Sequence, residues 1–377
     1  MKGEKFNKPG YKPRVLIAPL EWGLGHATRC IPIINSLLQH GCEVIIAAEG
    51  ACRQLLQEEF PKLAYCDLKG YRMQYSRNKF WMPVKILVQV PKIFLSIYTE
   101  HRWLRRIVKE YAIDAVISDN RFGMHHPAVP CIYITHQLKI KTGNRFTEWW
   151  AQKIHYRFIN KYTECWVPDT NEEINLAGEL SHPAQQPRVP VKYLGPLSRF
   201  ERSEAEIKFD LAIILSGPEP QRTLFEEMIL NDLKGHKGHK GKVLLVRGIP
   251  GKTLPLSHSL SSIEIYDHLP ATELNKAILQ SNLIMSRCGY TTVMDLVKLQ
   301  KNAILVPTPG QTEQEYLAKY LMARKYFLCV SQQEFSLSAV LKNAADFSFN
   351  KIIISHSAYE LVIKDFIKNY FGSGKDQ

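Results

Sequence analysis

The loop between residues 19 and 29 carries the first side chains suited to catalysis. Gly23-Leu-Gly25-His26 comes shortly after the apolar run Arg14-Val-Leu-Ile-Ala18. A histidine at the start of a helix favours the neutral imidazole, which can take a proton from a hydroxyl group. His26 is therefore a candidate general base. Spacing alone leaves an alternative open, in which His26 only forms hydrogen bonds within its loop.

The same loop resembles the G-x-G-x-x-G sequence of dinucleotide-binding proteins, except that Thr28 stands where the third glycine belongs. Glu49, at the end of the next apolar run, occupies the place of a ribose-binding acid. These two features keep open a second interpretation, an oxidoreductase that binds a dinucleotide.

A second group of candidates lies between residues 286 and 295. Ser286-Arg-Cys-Gly289 follows an apolar run and precedes a helical pattern. The unpaired N–H groups at such a helix start can bind an anionic diphosphate. Asp295 lies one turn into this helix, where it is a candidate ribose ligand. A capping box with Thr292 is an equally open alternative.

A third loop runs from an apolar strand pattern through Pro307-Thr-Pro309-Gly310 into another helix. Gln311, Gln314 and Glu315 follow, and their amide and carboxylate groups can form hydrogen bonds with sugar hydroxyls. The alternative is an ordinary solvated first helical turn.

These loops require a scaffold that brings the ends of several strands together. Apolar runs alternate with helical patterns along the chain, which predicts an α/β fold with parallel sheets that are covered on both faces. The runs are 14–18, 43–47, 114–118, 129–135 and 165–167, followed by 211–215, 242–246, 262–265, 283–285 and 303–306.

A segment rich in proline, glycine and charge, residues 181–208, separates the two sets of runs and indicates a linker. We therefore expect the first sheet to end at 165–167 and the chain to form two domains, 1–195 and 196–377, with the last helix returning to the first. Ligands of such sheets bind at the carboxyl ends of the strands. Asp119 and His136, in loops after N-terminal strands, are thus secondary candidates, on the side of the substrate whose hydroxyl the general base would deprotonate.

The composition is that of an ordinary globular protein, with 377 residues of which 45% are hydrophobic. It excludes a peptide, a collagen-like chain and a disordered chain. The eight cysteines form no C-x-x-C pair, so neither a disulfide framework nor a metal site is expected. The polar N-terminus lacks a signal-peptide core, and Pro83, Lys85 and Pro91 interrupt the best transmembrane candidate, so we expect a cytoplasmic protein without a membrane span.

The net charge of +13 suits an anionic partner, and much of it lies between Lys69 and Lys109, here called the basic segment. Aromatic residues are interleaved with this charge, which predicts docking on an anionic membrane surface. A solvated helix pair is the alternative, and no nucleic-acid-binding motif is present. The basic residues are Lys69, Arg72, Arg77, Lys79, Lys85, Lys92, Arg102, Arg105, Arg106 and Lys109, against the single acid Glu100.

Taken together, the motifs at 287–295, at 306–315 and at Gly23-Leu-Gly25-His26 resemble those of GT-B glycosyltransferases. They are most similar to family 28, which includes the bacterial enzyme that adds N-acetylglucosamine to undecaprenyl-linked muramyl peptide. The resemblance extends over about residues 14–330. It implies two Rossmann-like, doubly wound domains that face a central cleft. It also implies a metal-independent, inverting transfer from a nucleotide sugar, usually a UDP-sugar, to a hydroxyl acceptor, without a cofactor.

The resemblance also implies roles for individual residues. Asp295 would bind the donor ribose, Gln314 and Glu315 would match a glutamine pair that reads the sugar, and Arg222 would supply charge in place of a glycine-rich phosphate loop. The implied donor-binding residues are Gly25, Arg199, Gly217, Arg222, Tyr266, His268, Cys288, Gly289, Tyr290, Thr291, Asp295, Gln311, Gln314 and Glu315.

Three functions remain open at this point. The first is a glycosyltransferase with a nucleotide-sugar donor and a hydroxyl acceptor. Docking of its basic segment on the inner face of an anionic membrane would allow that acceptor to be lipid-linked. The second is a sugar-nucleotide epimerase with a GT-B-like fold. The third is a non-catalytic protein that binds anionic ligands or membranes.

Overall fold

The structure is a computed structural model that describes residues 10–71, 82–235, 241–249 and 262–372, with the backbone alone for 82–87. Among the described residues, 10–71, 86–197 and 354–372 form one compact unit, and 198–353 form another. The chain passes from the first unit to the second after Leu197.

The first unit contains a parallel sheet in which the strand order is β3-β2-β1-β4-β5-β6-β7. The interiors of its central strands are fully buried, because helices cover a sheet of this kind on both faces. The strands are β1 (Arg14–Pro19), β2 (Glu43–Ala48), β3 (Ala64–Asp67), β4 (Ala115–Asp119), β5 (Cys131–Ile134), β6 (Glu164–Val167) and β7 (Val191–Tyr193). The helices that alternate with them are α1 (Leu24–Gln39), α2 (Gly50–Glu59), α3 (Met82–Glu110) and α4 (Arg145–Ile159).

The second unit contains another parallel sheet, with strand order β10-β9-β8-β11-β12-β13. Its strands are β8 (Phe209–Ile214), β9 (Val243–Val246), β10 (Ile263–Tyr266), β11 (Ser281–Arg287), β12 (Ala303–Val306) and β13 (Leu328–Cys329). Its helices are α5 (Gln221–Gly235), α6 (Ala271–Leu279), α7 (Tyr290–Leu299), α8 (Thr312–Ala323) and α9 (Leu337–Asp346). The predicted α/β class with two doubly wound sheets is confirmed.

The last described helix, α10 (Ala358–Phe371), packs on the first unit. Phe366 is fully buried, and its ring centroid lies 5.4 Å from that of Trp166 in an edge-to-face arrangement. Tyr370 donates a hydrogen bond of 3.1 Å to Glu164. A ring pair and a hydrogen bond thus hold the chain terminus against β6.

The expectation that the first sheet ends at 165–167 is wrong. Val191 pairs with Cys165, and β7 is a seventh strand inside the segment that was expected to be a linker. Three residues directly after Pro190 are too few to show the alternation that predicts a strand. The helix after the first loop begins at Leu24, so that Gly25 and His26 lie in its first turn.

The segment considered as a membrane span lies largely in α3, and Pro91 is inside this helix. Across the described ranges, no helix combines the length and the apolar character needed to cross a bilayer.

Each sheet has one point where the strand order reverses, and ligands of open α/β sheets bind beside such a point. In the first sheet it lies between β1 and β4, where Pro19 is in register with Asp119. In the second it lies between β8 and β11, where Ile214 is in register with Ser286. The loops that carry the candidate residues leave the sheets at these two points.

We predict that Phe366→Ala lowers the free energy of unfolding of the first unit by about 3–5 kcal/mol, since it opens a cavity beside Trp166. Leu361→Ala, an exposed position on the same helix, should change it by less than about 0.5 kcal/mol. Urea unfolding followed by tryptophan fluorescence measures this, because five of the six tryptophans lie in the first unit and Trp81 lies outside the described residues. Equal midpoints for the two variants would contradict the prediction.

Candidate active site

The carboxylate of Asp119 lies at the centre of the candidate site in the first unit. Asp119 is the last residue of β4 and is fully buried. Its Oδ1 lies 3.0 Å from Nδ1 of His26, and its backbone carbonyl accepts from the N–H of Leu20 at 3.0 Å. The structure thus brings together two residues that the sequence separates by 93 positions, one predicted as a base and one as an acceptor-side group.

Arg29 completes this group. Its guanidinium is buried and donates to both oxygens of Asp119, with Nε at 2.6 Å from Oδ2. Nη2 lies 2.9 Å from His26 Nδ1, and Nη1 lies 3.2 Å from Nδ1 of His136. Because His26 and Arg29 are three residues apart on α1, they share a helix face, and both reach the end of β4.

The electrostatics follow from burial and from these contacts. Burial lowers the pKa of His26, and Arg29 adds to the effect, while the charge of Asp119 opposes it. Burial alone would raise the pKa of Asp119, but the positive charge of Arg29 and the contact with His26 outweigh burial and hold that pKa well below its usual range. Asp119 is therefore ionised and His26 is neutral near pH 7, which is the state a general base needs.

Glu49 does not lie free to bind a ribose. Its Oε1 accepts the backbone N–H of Gly70 at 2.5 Å, so the carboxylate is used to hold the loop after β3. The third glycine position is also filled, by Thr28, whose hydroxyl donates to the carbonyl of Gly25 at 3.1 Å. Both observations speak against the dinucleotide-binding interpretation.

In the second unit, the start of α7 lies at the carboxyl end of β11. Gly289 is the N-cap residue, and no side chain caps the helix. The space where a Cβ of Gly289 would stand is open, with Thr292 Oγ1 the nearest atom at 3.8 Å. Cys288 and Tyr290 have buried side chains, so only their backbones are placed to contact a ligand here, beside the half-buried Thr291.

The capping-box alternative for Asp295 is wrong. The helix begins at Tyr290, so Thr292 is inside its first turn rather than at the N-cap. Asp295 Oδ1 instead accepts a hydrogen bond of 2.6 Å from the hydroxyl of Ser198. Burial raises the pKa of Asp295 to about 7, although Ser198 and the charge of Arg199 act in the opposite direction.

Arg222 does not supply free positive charge, contrary to the prediction. Its Nε donates to Glu219 at 2.6 Å and its Nη1 to Glu226 at 2.7 Å, and it is buried. Glu226 and Asp267 in turn pair with Arg247. Acids and bases alternate through this network, so the charge of Arg222 is compensated within the unit.

Arg287 has a different environment. It is fully buried, with Nη1 2.8 Å from Gln332 Oε1, Nη2 2.7 Å from the carbonyl of Gln221, and its guanidinium 4.2 Å from the ring centroid of Phe225. Among the described residues no carboxylate pairs with it, and burial lowers its pKa to about 10. A buried guanidinium with only neutral partners favours an anion nearby.

The third loop is held by the side chains predicted to contact sugar. Gln314 accepts the N–H of Thr308 at 2.9 Å and donates to Gln311 at 2.6 Å, while Glu315 accepts the N–H of Gly310 at 3.0 Å. In this state these groups fix the loop before α8, so sugar contacts require that they exchange partners.

The remaining predicted donor residues lie on the same unit. Gly217 is exposed after β8 with open space around it, Tyr266 is exposed at the end of β10, and His268 follows it half-buried. The guanidinium of Arg199 lies 5.4 Å from the ring centroid of Phe200.

Sequence reasoning missed Arg29 and Ser198. Arg29 carried a usable signal, because a charged residue three positions after a candidate base, in an otherwise apolar helix, has to be paired. Ser198 carried none, since it approaches Asp295 from 97 positions away.

Comparisons with known proteins show what kind of enzyme this chain resembles. The model of the glycosyltransferase family 28 C-terminal domain matches residues 220–358, and that of glycosyl transferase family 1 matches residues 15–160. An uncharacterised glycosyltransferase of Methanopyrus kandleri is 21% identical over 334 residues, which are 84% of this chain and 93% of that protein. The chain is a glycosyltransferase that resembles family 28 over its C-terminal part.

Solved structures agree with the fold of this glycosyltransferase. MurG of Acinetobacter baumannii is similar with a TM-score of 0.54 and 14% identity, over 95% of this chain and all of that one. The calicheamicin glycosyltransferase CalG4 has a TM-score of 0.61 and 12% identity, over 96% of this chain and 99% of its own. The spinosyn forosaminyltransferase SpnP has a TM-score of 0.60 and 15% identity, over 96% and 100%. At these identities the likeness confirms the GT-B architecture alone.

The raised pKa of Asp295 makes a prediction about the stability of the glycosyltransferase. Between pH 4 and about 7 the folded chain keeps a proton on Asp295 that the unfolded chain has lost, so this group lowers stability as the pH rises through that window. Asp295→Asn removes the effect. Its melting temperature relative to wild type should therefore rise between pH 4 and pH 8, by about 2 °C or more.

Scanning calorimetry of both proteins over that range measures the difference. Asp346→Asn, an exposed carboxylate at the end of α9, serves as the control and should show no such trend. A difference between Asp295→Asn and wild type that does not change with pH would contradict the prediction.

Proposed function

We propose that this glycosyltransferase moves a sugar from a UDP-sugar to a hydroxyl acceptor with inversion at the anomeric carbon. The observation that carries the proposal is the contact between His26 and Asp119 at the switch point of the first sheet. A neutral imidazole, oriented by an ionised carboxylate, can remove the proton of an attacking hydroxyl. Direct attack by that hydroxyl needs no covalent sugar intermediate, so it inverts the anomeric centre.

The donor belongs to the second unit in this proposal. The diphosphate binds at the start of α7, where no side chain caps the helix and the helix dipole favours an anion. Arg287 lies directly before this turn and supplies the positive charge that Arg222 does not. Asp295 and Ser198 then bind the ribose, with the hydroxyl of Ser198 exchanging its present acceptor for a ribose oxygen.

The second part of the reaction is the departure of the diphosphate leaving group. As the bond from the sugar to the diphosphate breaks, negative charge develops on the diphosphate, and the helix dipole and Arg287 stabilise it without moving. This arrangement supports transfer without a metal ion or cofactor. Product release should then continue in the presence of EDTA.

A lipid-linked acceptor is supported by the surface of the first unit. In the basic segment, the described residues Lys69, Lys92, Arg102, Arg105, Arg106 and Lys109 are all exposed, whereas the one acid, Glu100, is buried and paired with Arg121 at 2.7 Å. Arg72, Arg77 and Lys79 lie outside the described residues, and the side chain of Lys85 is not described. Removing Glu100 from the surface makes the exposed face more positive than the sequence count indicates.

Helix α4 extends this surface with apolar groups that sequence reasoning missed. Phe146, Trp149, Trp150 and Ile154 are between 45% and 70% exposed. Phe158 of α4 contacts Phe94 of α3 with ring centroids 6.1 Å apart, so the two helices are neighbours. Exposed aromatic residues beside lysines and arginines favour the interface of an anionic membrane. We therefore propose that the enzyme binds to the surface of an anionic membrane.

Neither alternative function is favoured by the comparisons. An epimerase acts on the nucleotide sugar alone, so it has no need for a base on a separate unit from the donor groups. A binding protein has no need for a buried His26, Asp119 and Arg29 cluster, whose charges cost free energy to desolvate.

Release of UDP from a panel of UDP-sugars, measured with and without a total lipid extract, tests the proposal. We predict that release depends on the extract and that His26→Ala lowers the turnover number by about 100-fold or more, because the base is lost. His40→Ala, an exposed histidine at the other end of α1, is the matched control and should keep wild-type turnover. Near-normal turnover of His26→Ala would rule out its role as the base.

The membrane proposal predicts salt-sensitive binding to anionic vesicles. Each basic group near such a surface contributes about 1 kcal/mol, so the triple variant Lys92→Glu, Arg102→Glu, Arg106→Glu should bind at least about tenfold more weakly. The control triple, Lys319→Glu, Lys342→Glu, Lys351→Glu, changes exposed lysines of the second unit by the same charge and should bind as wild type does.

Co-sedimentation with phosphatidylserine-containing vesicles and with neutral vesicles at two salt concentrations measures this difference. Equal binding to both kinds of vesicle, or equal loss in both triple variants, would contradict the membrane proposal and favour a soluble acceptor.

A further inference from the structure

Arg29 has more contacts than an ion pair with Asp119 requires. It is 2% exposed, and its three guanidinium nitrogens reach three different side chains. Nε and Nη2 donate to the carboxylate of Asp119, Nη2 lies 2.9 Å from Nδ1 of His26, and Nη1 lies 3.2 Å from Nδ1 of His136. One side chain therefore contacts Asp119, His26 and His136.

The proton positions follow from the fact that a guanidinium only donates. Nδ1 of His136 faces Nη1 of Arg29, so it must accept, and the proton of His136 then lies on Nε2. Nδ1 of His26 faces a donor, Nη2, and an acceptor, Oδ1 of Asp119. It can satisfy only one of them, and the choice decides which ring nitrogen of His26 has the free lone pair.

Only one of the two choices gives a working base. If His26 Nδ1–H donates to Asp119, then Nε2 has the lone pair that can receive a proton from a hydroxyl. If Nδ1 accepts from Arg29, then Nε2 carries the proton and cannot act as a base. A lone pair on Nδ1 of His26 would face the negatively charged Oδ1 of Asp119 at 3.0 Å, whereas Nδ1–H donates to that oxygen in a charge-assisted hydrogen bond. The carboxylate therefore favours the form with the proton on Nδ1, and Nη2 of Arg29 keeps Oδ1 of Asp119 as its charged partner.

We propose that Arg29 is a positioning residue for sugar transfer, which holds Asp119 in the ionised form and keeps His26 neutral with its lone pair on Nε2. The catalytic part of this inference rests on the proposed role of His26 as the base. The part that concerns the protonation of His26 does not depend on that role, so the two can fail separately.

The groups that act on His26 come from several elements. Arg29 on α1 lowers its pKa and His136 after β5 acts in the same direction, while Asp119 on β4 raises it. Cys30 on α1 lies 3.8 Å from Asp119, and Cys52 is on α2. Burial raises the pKa of both thiols, to about 12 for Cys52, so neither carries charge near neutral pH.

Arg29→Gln removes the positive charge and keeps an amide donor for Asp119. The negative charge of Asp119 then acts on His26 without the opposing charge of Arg29, and we expect the pKa of His26 to rise by about one pH unit. Arg29→Lys keeps the charge and should leave this pKa within about 0.3 of the wild-type value. The pKa is read from the imidazole resonance of His26 in the ¹³C-histidine-labelled protein without ligand, assigned with His26→Ala.

A second pair of variants keeps the test valid if Arg29→Gln leaves Asp119 unpaired and fails to fold. Asp119→Asn and the double variant Asp119→Asn, Arg29→Gln differ only in the charge of Arg29, and neither contains a buried lone carboxylate. The inference predicts a higher His26 pKa in the double variant than in Asp119→Asn, again by about one pH unit.

Transfer kinetics provide the second readout. For any donor and acceptor that give UDP release, kcat/KM is measured as a function of pH. In Arg29→Gln the acid limb of this profile should shift to higher pH, by the same amount as the pKa read from the His26 resonance. A merely structural role would lower activity without moving that limb. Unchanged His26 titration in folded Arg29→Gln, or in the Asp119→Asn pair, would overturn the inference.

If the resonance moves and the acid limb does not, Arg29 still controls the protonation of His26, and the proposed role of His26 as the base is what fails.

Discussion

The first unit is organised around one buried carboxylate. Asp119 is fully buried at the end of a central strand, where an unpaired charge would cost several kcal/mol. A guanidinium has to reach it, and α1 can provide one only if the helix begins early enough for Arg29 and His26 to lie on the face above β4. The position of the candidate base is thus a consequence of how the carboxylate is neutralised.

The second unit also has an aspartate at its candidate site, but the pKa of this aspartate shifts in the opposite direction. Asp295 is also at a switch point, but its direct partner is the hydroxyl of Ser198 rather than a guanidinium. Burial raises its pKa to about 7, because a hydroxyl offsets burial less than a guanidinium does, whereas the pKa of Asp119 is held low by Arg29. A carboxylate with a weak partner is ready to exchange that partner for a ligand, and a carboxylate in a tight ion pair is fixed. This contrast fits a donor-binding role for Asp295 and an orienting role for Asp119.

Much of this architecture can be predicted from sequence, because central parallel strands are continuous apolar runs and the glycine-containing loops after them are visible at once. The apolar runs found β1, β2, β4 and β12 within one or two residues. The three-residue strand β7 could not be found in this way, since its pairing partner, not its own pattern, makes it a strand. The compensation of Arg222 by Glu219 and Glu226 depends on how side chains fold back along one helix start, which a motif does not show.

The exposure of the aromatic residues of α4 could not be predicted from the sequence for a related reason. An apolar helix pattern predicts a buried face, and only the packing of neighbours shows that Trp149 and Trp150 remain exposed. The same limit applied to Glu100, which counted as surface charge until its pairing with Arg121 was known. Motifs at strand ends therefore predicted which loops carry the candidate residues, and tertiary contacts decided which of their charges are already paired.

In the proposed reaction the nucleotide binds at the switch point of the second sheet and not at the glycine-containing loop that carries His26. Hydrogen–deuterium exchange with and without saturating UDP tests it directly, because bound ligand slows exchange in the backbone it contacts. We expect slower exchange at 287–295 and 308–315 and unchanged exchange at residues 20–29. Slower exchange confined to residues 20–29 would contradict it, since the nucleotide would then occupy the dinucleotide-like loop of the first unit.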